Sequence, residues 1–201
     1  MKIETTFKLN QMEQKLLKSN FYLITGGPGV GKSSVIKRLQ MNSFTVVSEA
    51  ARTIIKEQKK QGNNAIQVGN RFKFCQLMLH QCLHDFLEYS EFVSPVFFDR
   101  GLPDLLGYQS IASGAAWDNL IRDIMSANKQ YRYNQRVFIF PPWQEIYTTD
   151  EERVHTFKQA VLAYDIVKEA LINANYDLIE VPRLSVEQRV KFILEKISKV
   201  I

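Results

Sequence analysis

Three observations on this 201-residue chain predict an α/β fold, a parallel sheet with helices on both faces. The first is a set of short apolar runs, Phe21–Thr25, Phe44–Ser48, Val96–Asp99, Val137–Phe140 and Leu178–Val181, each of strand length and bounded by turn or charged residues. The second is that apolar residues recur at helical spacing between those runs, and strands alternating with helices imply crossover connections. The third is composition: 45% hydrophobic residues over this length suit one core of several layers. Ligands of such sheets bind beyond the carboxyl ends of the strands, which is where the polar residues of interest fall.

Taken in order, residues 1–20 read as an N-terminal arm or a short helix, and 21–201 as one domain with a lid around 141–155. The first strand, Phe21–Thr25, runs into a glycine-rich loop and then a helix carrying Val35, Ile36 and Leu39. After the second strand a helix is predicted from near Glu49, with Ala50, Ala51, Ile54 and Ile55, stopping by Gly62-Asn63-Asn64. A long amphipathic stretch from about Ile66 to Phe92 places Phe72, Leu79, Cys82, Leu83 and Phe86 on its apolar face. Two capping boxes, Thr149-x-x-Glu152 and Ser185-x-x-Gln188, open the last two helices, with apolar residues Val154, Phe157, Val161 and Tyr164 and then Val190, Ile193, Leu194 and Ile197.

The most specific signal is Gly26-Gly27-Pro28-Gly29-Val30-Gly31-Lys32-Ser33, which satisfies G-x-x-x-x-G-K-[ST] at a strand-to-helix junction and predicts a nucleoside triphosphate site. Gly26, Gly29 and Gly31 permit positive φ and leave no Cβ between main chain and phosphate; Pro28 stiffens the turn, and successive N–H groups converge on one anion. The following helix points its positive end at the same place. Lys32 is expected at the β and γ phosphates, Ser33 in the shell of a Mg²⁺ ion and Ser34 at the α phosphate.

Other candidates sit at strand ends. Asp99 closes the third strand and is expected to hold the Mg²⁺ shell; the competing reading is a cap on Leu102 onward. Arg100 and not a second acid follows it, which tilts the expectation from hydrolysis toward transfer to a bound acceptor. Glu49 and Arg52, spaced i, i+3 after the second strand, are expected to meet an acceptor: Glu49 taking or anchoring a hydroxyl proton and Arg52 holding an anionic part. The same spacing also serves a surface ion pair. Arg100 and Asp104 are further acceptor-positioning candidates. Arg153, at the start of the helix after Pro141-Pro142-Trp143, is expected to close over the transferring phosphoryl, with Arg132 and Arg136 as rivals; it serves equally as a helix-surface arginine. Trp143 suits the core or a stacking wall. Val181-Pro182-Arg183 is placed to contact the nucleotide base. Asn128-Lys129-Gln130-Tyr131 fails the guanine motif at its last position.

Composition narrows the classes. The net charge of +5 is dispersed, without an aromatic platform, so polynucleotide binding is not the expected main role. No apolar run is long enough to cross a bilayer and residues 1–20 lack a signal core, so no membrane partner and a cytoplasmic location are expected. Cys75 and Cys82 read as small packing groups. His80 and His84 lie four apart, but no carboxylate at a suitable offset is read as joining them, so they are taken as structural.

With these residues assembled, the chain resembles the P-loop family of predicted AAA-type ATPases grouped with the ribosylnicotinamide-kinase domain of bifunctional NAD-biosynthesis proteins. The elements carrying it are Thr25 to Ser33, Ser48-Glu49-Ala50-Ala51-Arg52, Asp99-Arg100-Gly101, Pro141-Pro142-Trp143 with Tyr147, Asp150 and Arg153, and Glu180-Val181-Pro182. With some twenty residues before the loop, no adenylyltransferase domain is expected there. The resemblance implies a nucleoside-kinase-like P-loop NTPase, a three-layer sandwich with strand order 2-3-1-4-5, using ATP and Mg²⁺ on a small acceptor near Glu49, Arg52 and Asp99. The expected activity is transfer of the γ-phosphoryl of ATP to a nucleoside-like hydroxyl, the alternative being a regulatory ATPase or nucleotide-gated switch acting on a protein or nucleic-acid partner.

Overall fold

The computed structural model describes residues 15–63, 69–110, 113–147 and 156–198. Its elements are β1 (Leu16–Leu17), β2 (Phe21–Gly26), α1 (Lys32–Met41), β3 (Thr45–Val47), α2 (Ala50–Lys60), α3 (Arg71–Glu88), β4 (Val96–Asp99), a 3₁₀ helix (Leu102–Ser110), α4 (Ala115–Gln130), β5 (Tyr131–Arg132), β6 (Arg136–Phe140), a short 3₁₀ turn (Gln144–Ile146), α5 (Phe157–Asn173), β7 (Asp177–Glu180) and α6 (Val186–Ser198). Five strands form one sheet in the order β3-β4-β2-β6-β7, and every pairing is parallel. In the order of the five predicted strands this reads 2-3-1-4-5.

The alternation of side chains along the strands divides the apolar residues between two layers. Phe21, Leu23, Val96, Phe98 and Val137 face one core with Phe74, Leu79, Phe86 and Leu102. Tyr22, Ile24, Phe97, Phe138 and Phe140 face the other with Val35, Leu39, Val190 and Ile193. Helices therefore cover both faces, α1 and α6 packing on the second. Central β2 is buried throughout, whereas the edge strand β7 exposes both of its end residues. This gradient is why the central strands read as continuous apolar runs.

Strand boundaries agree with expectation to within one residue, and α2 and α3 occupy the helical stretches. The box of Ser185 and Gln188 is formed: Gln188 N–H donates to Ser185 Oγ at 3.3 Å and Ser185 N–H to Gln188 Oε1 at 3.1 Å. The start of α5 needs correction. Its capping box is Thr156 with Gln159, and Thr156 has extended backbone, so the helix begins at Phe157. Thr149, Glu152 and Val154, on which the earlier start rested, lie outside the described residues. Of the stretch 1–20, the described part contains β1, which pairs in parallel with β5. Two-residue strands carry no periodicity, and neither was anticipated.

Cys75 and Cys82 are free and buried. Both histidines of α3 are exposed, and the expectation that no carboxylate joins them is corrected: His84 Nδ1 lies 3.7 Å from both Asp85 and Glu88, while His80 stands outside the group. Asn128, rather than joining a base-reading motif, is buried in α4 and donates to the carbonyls of Leu102 and Ile124. Among the described residues no helix is long and apolar enough to cross a membrane.

Candidate active site

The loop between β2 and α1 sits at the carboxyl edge of the sheet, between β4 and β6. Gly26 has φ +133°, and a Cβ there would collide with the Phe140 carbonyl of β6, so only glycine lets the central strand turn out beside its neighbour. Gly29 and Gly31 are left-handed at +75° and +80°. The ring of Tyr147 lies against Gly29, 2.5 Å from where a Cβ would stand. α1 begins at Lys32 with no side-chain cap, leaving its first N–H groups for another acceptor.

Lys32 is buried, and its Nζ donates to the carbonyls of Gly27 at 2.7 Å and Gly26 at 3.2 Å. Burial, with help from the Arg100 charge, lowers its pKa to about 7 against the pull of Asp99, Glu49 and Asp104. Asp99 ends β4 in register with Ile24 of β2. Burial and the neighbouring Glu49 raise its pKa to about 6, and its Oδ1 has no hydrogen-bond partner among the described residues. A buried, orphaned carboxylate oxygen beside a triphosphate-type loop is suited to a hard cation or its water shell. Asp99 therefore does not spend itself as a cap on the following helix: Asp104 Oδ2 accepts from Gly101 N–H at 3.1 Å.

Arg100 is the hub. Its φ is +66°, rare for a side-chain-bearing residue, and its guanidinium reaches four groups. It donates to Glu49 Oε1 at 3.0 Å, Asp104 Oδ1 at 3.0 Å, Gly26 O at 2.7 Å and Thr25 Oγ1 at 3.5 Å. Thr25 in turn donates to Asp104. Asp104 is buried, with both oxygens taken by protein groups. Burial opposes the charge on Arg100, yet Glu49, Asp104 and Asp99 push its pKa upward.

Glu49 precedes α2 at the N-cap position, makes no side-chain cap bond, and accepts from Arg52 Nε at 3.1 Å as well as from Arg100. Burial alone would raise its pKa, but Arg100, Lys32 and Arg52 outweigh that and hold the carboxyl below its ordinary value. Arg52 also donates from Nη2 to Ser33 Oγ at 3.1 Å. The pair is thus an ion pair, one of the two readings of its spacing, and Arg52 also bridges α2 to the loop.

Ser34 is exposed near the start of α1. Arg153 and Asp150 lie outside the described residues. Its rivals face elsewhere: Arg132 donates to the carbonyls of Ala174 and Asn175 and stacks on Tyr176, and Arg136 begins β6 and donates to Lys196 O. Arg136 stands at the amino end of β6, opposite the loop, and Arg132 ends β5, which lies outside the five-stranded sheet. Arg183 is folded back on the Pro142 carbonyl, at 3.1 and 2.9 Å.

One residue beside the loop was not anticipated. Arg189, early in α6, is buried, donates from Nη1 to Val30 O at 3.2 Å and lies beside Gly31. Its signal in the sequence is an arginine set four residues before Ile193 on the apolar stripe of a helix.

No curated protein matches the chain significantly. Among solved structures it is similar to deoxyadenosine kinase from M. mycoides with products dCMP and a flexible dCDP bound: 15% identity over 90% of this chain and 100% of that one, TM-score 0.64. A NadR protein in complex with NR is 12% identical over 93% of this chain and 50% of its own, TM-score 0.63. Thymidylate kinase from Candida albicans is 12% identical over 89% and 91%, TM-score 0.58. These likenesses are of fold. At the level of sequence, residues 21–189 match the AAA_28 family, described as an AAA domain, from the first residue of β2 to the arginine beside Gly31. With its phosphate-type loop between the central strand and α1, this chain belongs to the AAA_28 family of P-loop proteins.

Proposed function

We propose that this protein is a phosphotransferase that moves the γ-phosphoryl of ATP to the hydroxyl of a small nucleoside-like acceptor. The observation that carries the reading is the gathering of Glu49, Asp99 and Arg100 around the mouth of a loop whose lysine is already buried against it. Likeness in fold to nucleoside and nucleotide kinases supports it.

The N–H groups of the Gly26–Ser33 loop and Lys32 would bind the triphosphate, and Ser33 and Asp99 would hold Mg²⁺. A magnesium ion bound there supplies positive charge to the phosphate oxygens as the transferring group loosens from the β phosphate. Lys32 carries the matching charge from the protein side. In the transfer, the acceptor oxygen forms a bond to γ-phosphorus, the bond from γ-phosphorus to the bridging oxygen breaks, and ADP leaves with the electron pair. The hydroxyl proton passes to Glu49, which is ionised at neutral pH because three cations surround it. Arg100 fixes Glu49 by one nitrogen and the loop entrance by another, and Asp104 fixes Arg100. Arg52 and Arg100 would orient the acceptor, and Arg153 would neutralise charge on the transferring phosphoryl.

The test is a mass-resolved assay with MgATP and pooled nucleosides and ribosides, using Lys32→Ala as blank. A product heavier by one phosphate is expected. Release of ADP with no such product would replace the kinase reading by a regulatory ATPase. Glu49→Gln is expected to keep nucleotide affinity within about twofold and to lower turnover by roughly 10²–10⁴; normal turnover of an identified acceptor would remove Glu49 from the chemistry.

A further inference from the structure

Arg189 is placed at a cost. It is only 5% exposed, and its Nε is buried without a hydrogen-bond partner among the described residues. A guanidinium so desolvated weakens the fold relative to an apolar side chain of similar volume, so stability does not account for an arginine here. Its contacts all concern the phosphate-type loop and the wall behind it. Nη1 donates to Val30 O at 3.2 Å, and Nη1 and Nη2 lie 2.8 and 3.2 Å from where a Cβ on Gly31 would stand. The guanidinium rests over Trp143, 5.4 Å from its ring centre, and Phe140, 5.8 Å. That wall is itself fixed, since Arg183 grips the Pro142 carbonyl and the Ser185–Gln188 box sets the start of α6.

A trans peptide unit is planar, with its C=O and N–H pointing in opposite directions. Anchoring the Val30 carbonyl therefore turns the N–H of Gly31 to the other side of the loop. We propose that Arg189 is a positioning residue: from α6 it holds the Val30–Gly31 peptide so that the Gly31 N–H faces the triphosphate. This rests on the nucleotide-binding reading above and adds to it a device outside the loop's own motif. The residue type follows from the task. A planar fork stacked on two rings holds a fixed direction, which the single ammonium of a lysine on a flexible stem does not. Gly31 is favoured by its left-handed φ, and the guanidinium occupies the space a Cβ would take.

The test uses the full chain with two probes, MgADP and inorganic tripolyphosphate, the second reading the phosphate cradle without a base or sugar. Arg189→Met is expected to melt no lower than wild type and to bind both probes about ten- to a hundredfold more weakly, the range of one charge-strengthened hydrogen bond. In amide-resolved NMR, the downfield movement of the Gly31 proton on MgADP binding is expected in wild type and lost in the variant. Arg189→Lys is expected to fall between the two. If the methionine variant does not fold, Trp143→Leu, which removes the stacking wall and leaves the loop sequence intact, is expected to weaken tripolyphosphate binding. Unchanged affinity and an unchanged Gly31 shift in a folded variant would overturn the proposal while leaving the nucleotide site standing. A wild-type chain that bound neither probe would overturn the nucleotide reading and the positioning role with it.

Discussion

Lys32 and Asp99 are two site residues whose protonation near neutral pH is altered by their setting, and each gives a pH-dependent expectation. Lys32 has a pKa near 7 in the unliganded protein because it is buried beside Arg100. A triphosphate favours its protonated form, so above pH 7 binding must take up a proton. Nucleotide affinity is expected to fall as pH rises above 7, by up to about tenfold per unit, and calorimetry at pH 8 in buffers of different ionisation enthalpy should register proton uptake. Asp99 works in the opposite sense on stability. Its folded pKa of about 6 exceeds the ordinary 3.8. Between those values the folded state binds more protons than the unfolded one, so stability declines as pH rises through that window and the penalty is complete above 6. Asp99→Asn is expected to raise stability at pH 7.5 by at most about 3 kcal/mol, read as a higher Tm, with the gain vanishing below pH 4; a lower Tm at pH 7.5 would show that the cations around the carboxylate outweigh its burial. Lys32 and Ser33 were legible from the loop motif, and Glu49 and Asp99 as acids at strand ends. The hub role of Arg100 was not, because its four partners come from the end of β2, the approach to α2 and the 3₁₀ helix, which only folding brings together.

At the scale of elements, helix starts expose what local sequence can and cannot say. The box of Ser185 and Gln188 formed as expected, and replacing Ser185 by Ala should cost about 1 kcal/mol in chemical denaturation, since it frees a backbone N–H at the first turn of α6. The same substitution loosens the helix that carries Arg189, so a modest loss of nucleotide affinity should accompany it. At α5 the box that forms is Thr156-x-x-Gln159, a span of the same pattern as Thr149-x-x-Glu152, which lies outside the described residues. Packing supports this start: Ala160 and Tyr164 are buried, with Ala160 O in the space a Cβ on Gly27 would need, which registers α5 against the loop. The strands β1 and β5 were illegible for a simpler reason, since they are paired by position rather than by any apolar alternation.

For the molecule as a whole, the sheet separates two apolar layers that share β2 as their common boundary. Leu23 belongs to one layer and Ile24 to the other, both fully buried. Truncating either to Ala should cost about 2–5 kcal/mol. Because both layers are built on one strand, each variant is expected to unfold in a single transition detected alike by far-ultraviolet circular dichroism and tryptophan fluorescence; two separated transitions would mean that the layers melt independently. Amino-acid order was enough to specify the strand runs, the crossover pattern, the glycine-rich loop at the end of the first strand and the acid at the end of the third. It did so because those features are local: apolar period, turn chemistry and a fixed motif spacing each lie within about ten residues. Folding was needed to show that Arg100 ties Glu49 to Asp104, that Arg132 and Arg136 are engaged by the carbonyls of Ala174 and Lys196, and that Arg189 lies beside Gly31 from 158 positions further along the chain. Such contacts depend on strand order and on which face each helix covers, and no short-range pattern encodes a distance between residues that far apart.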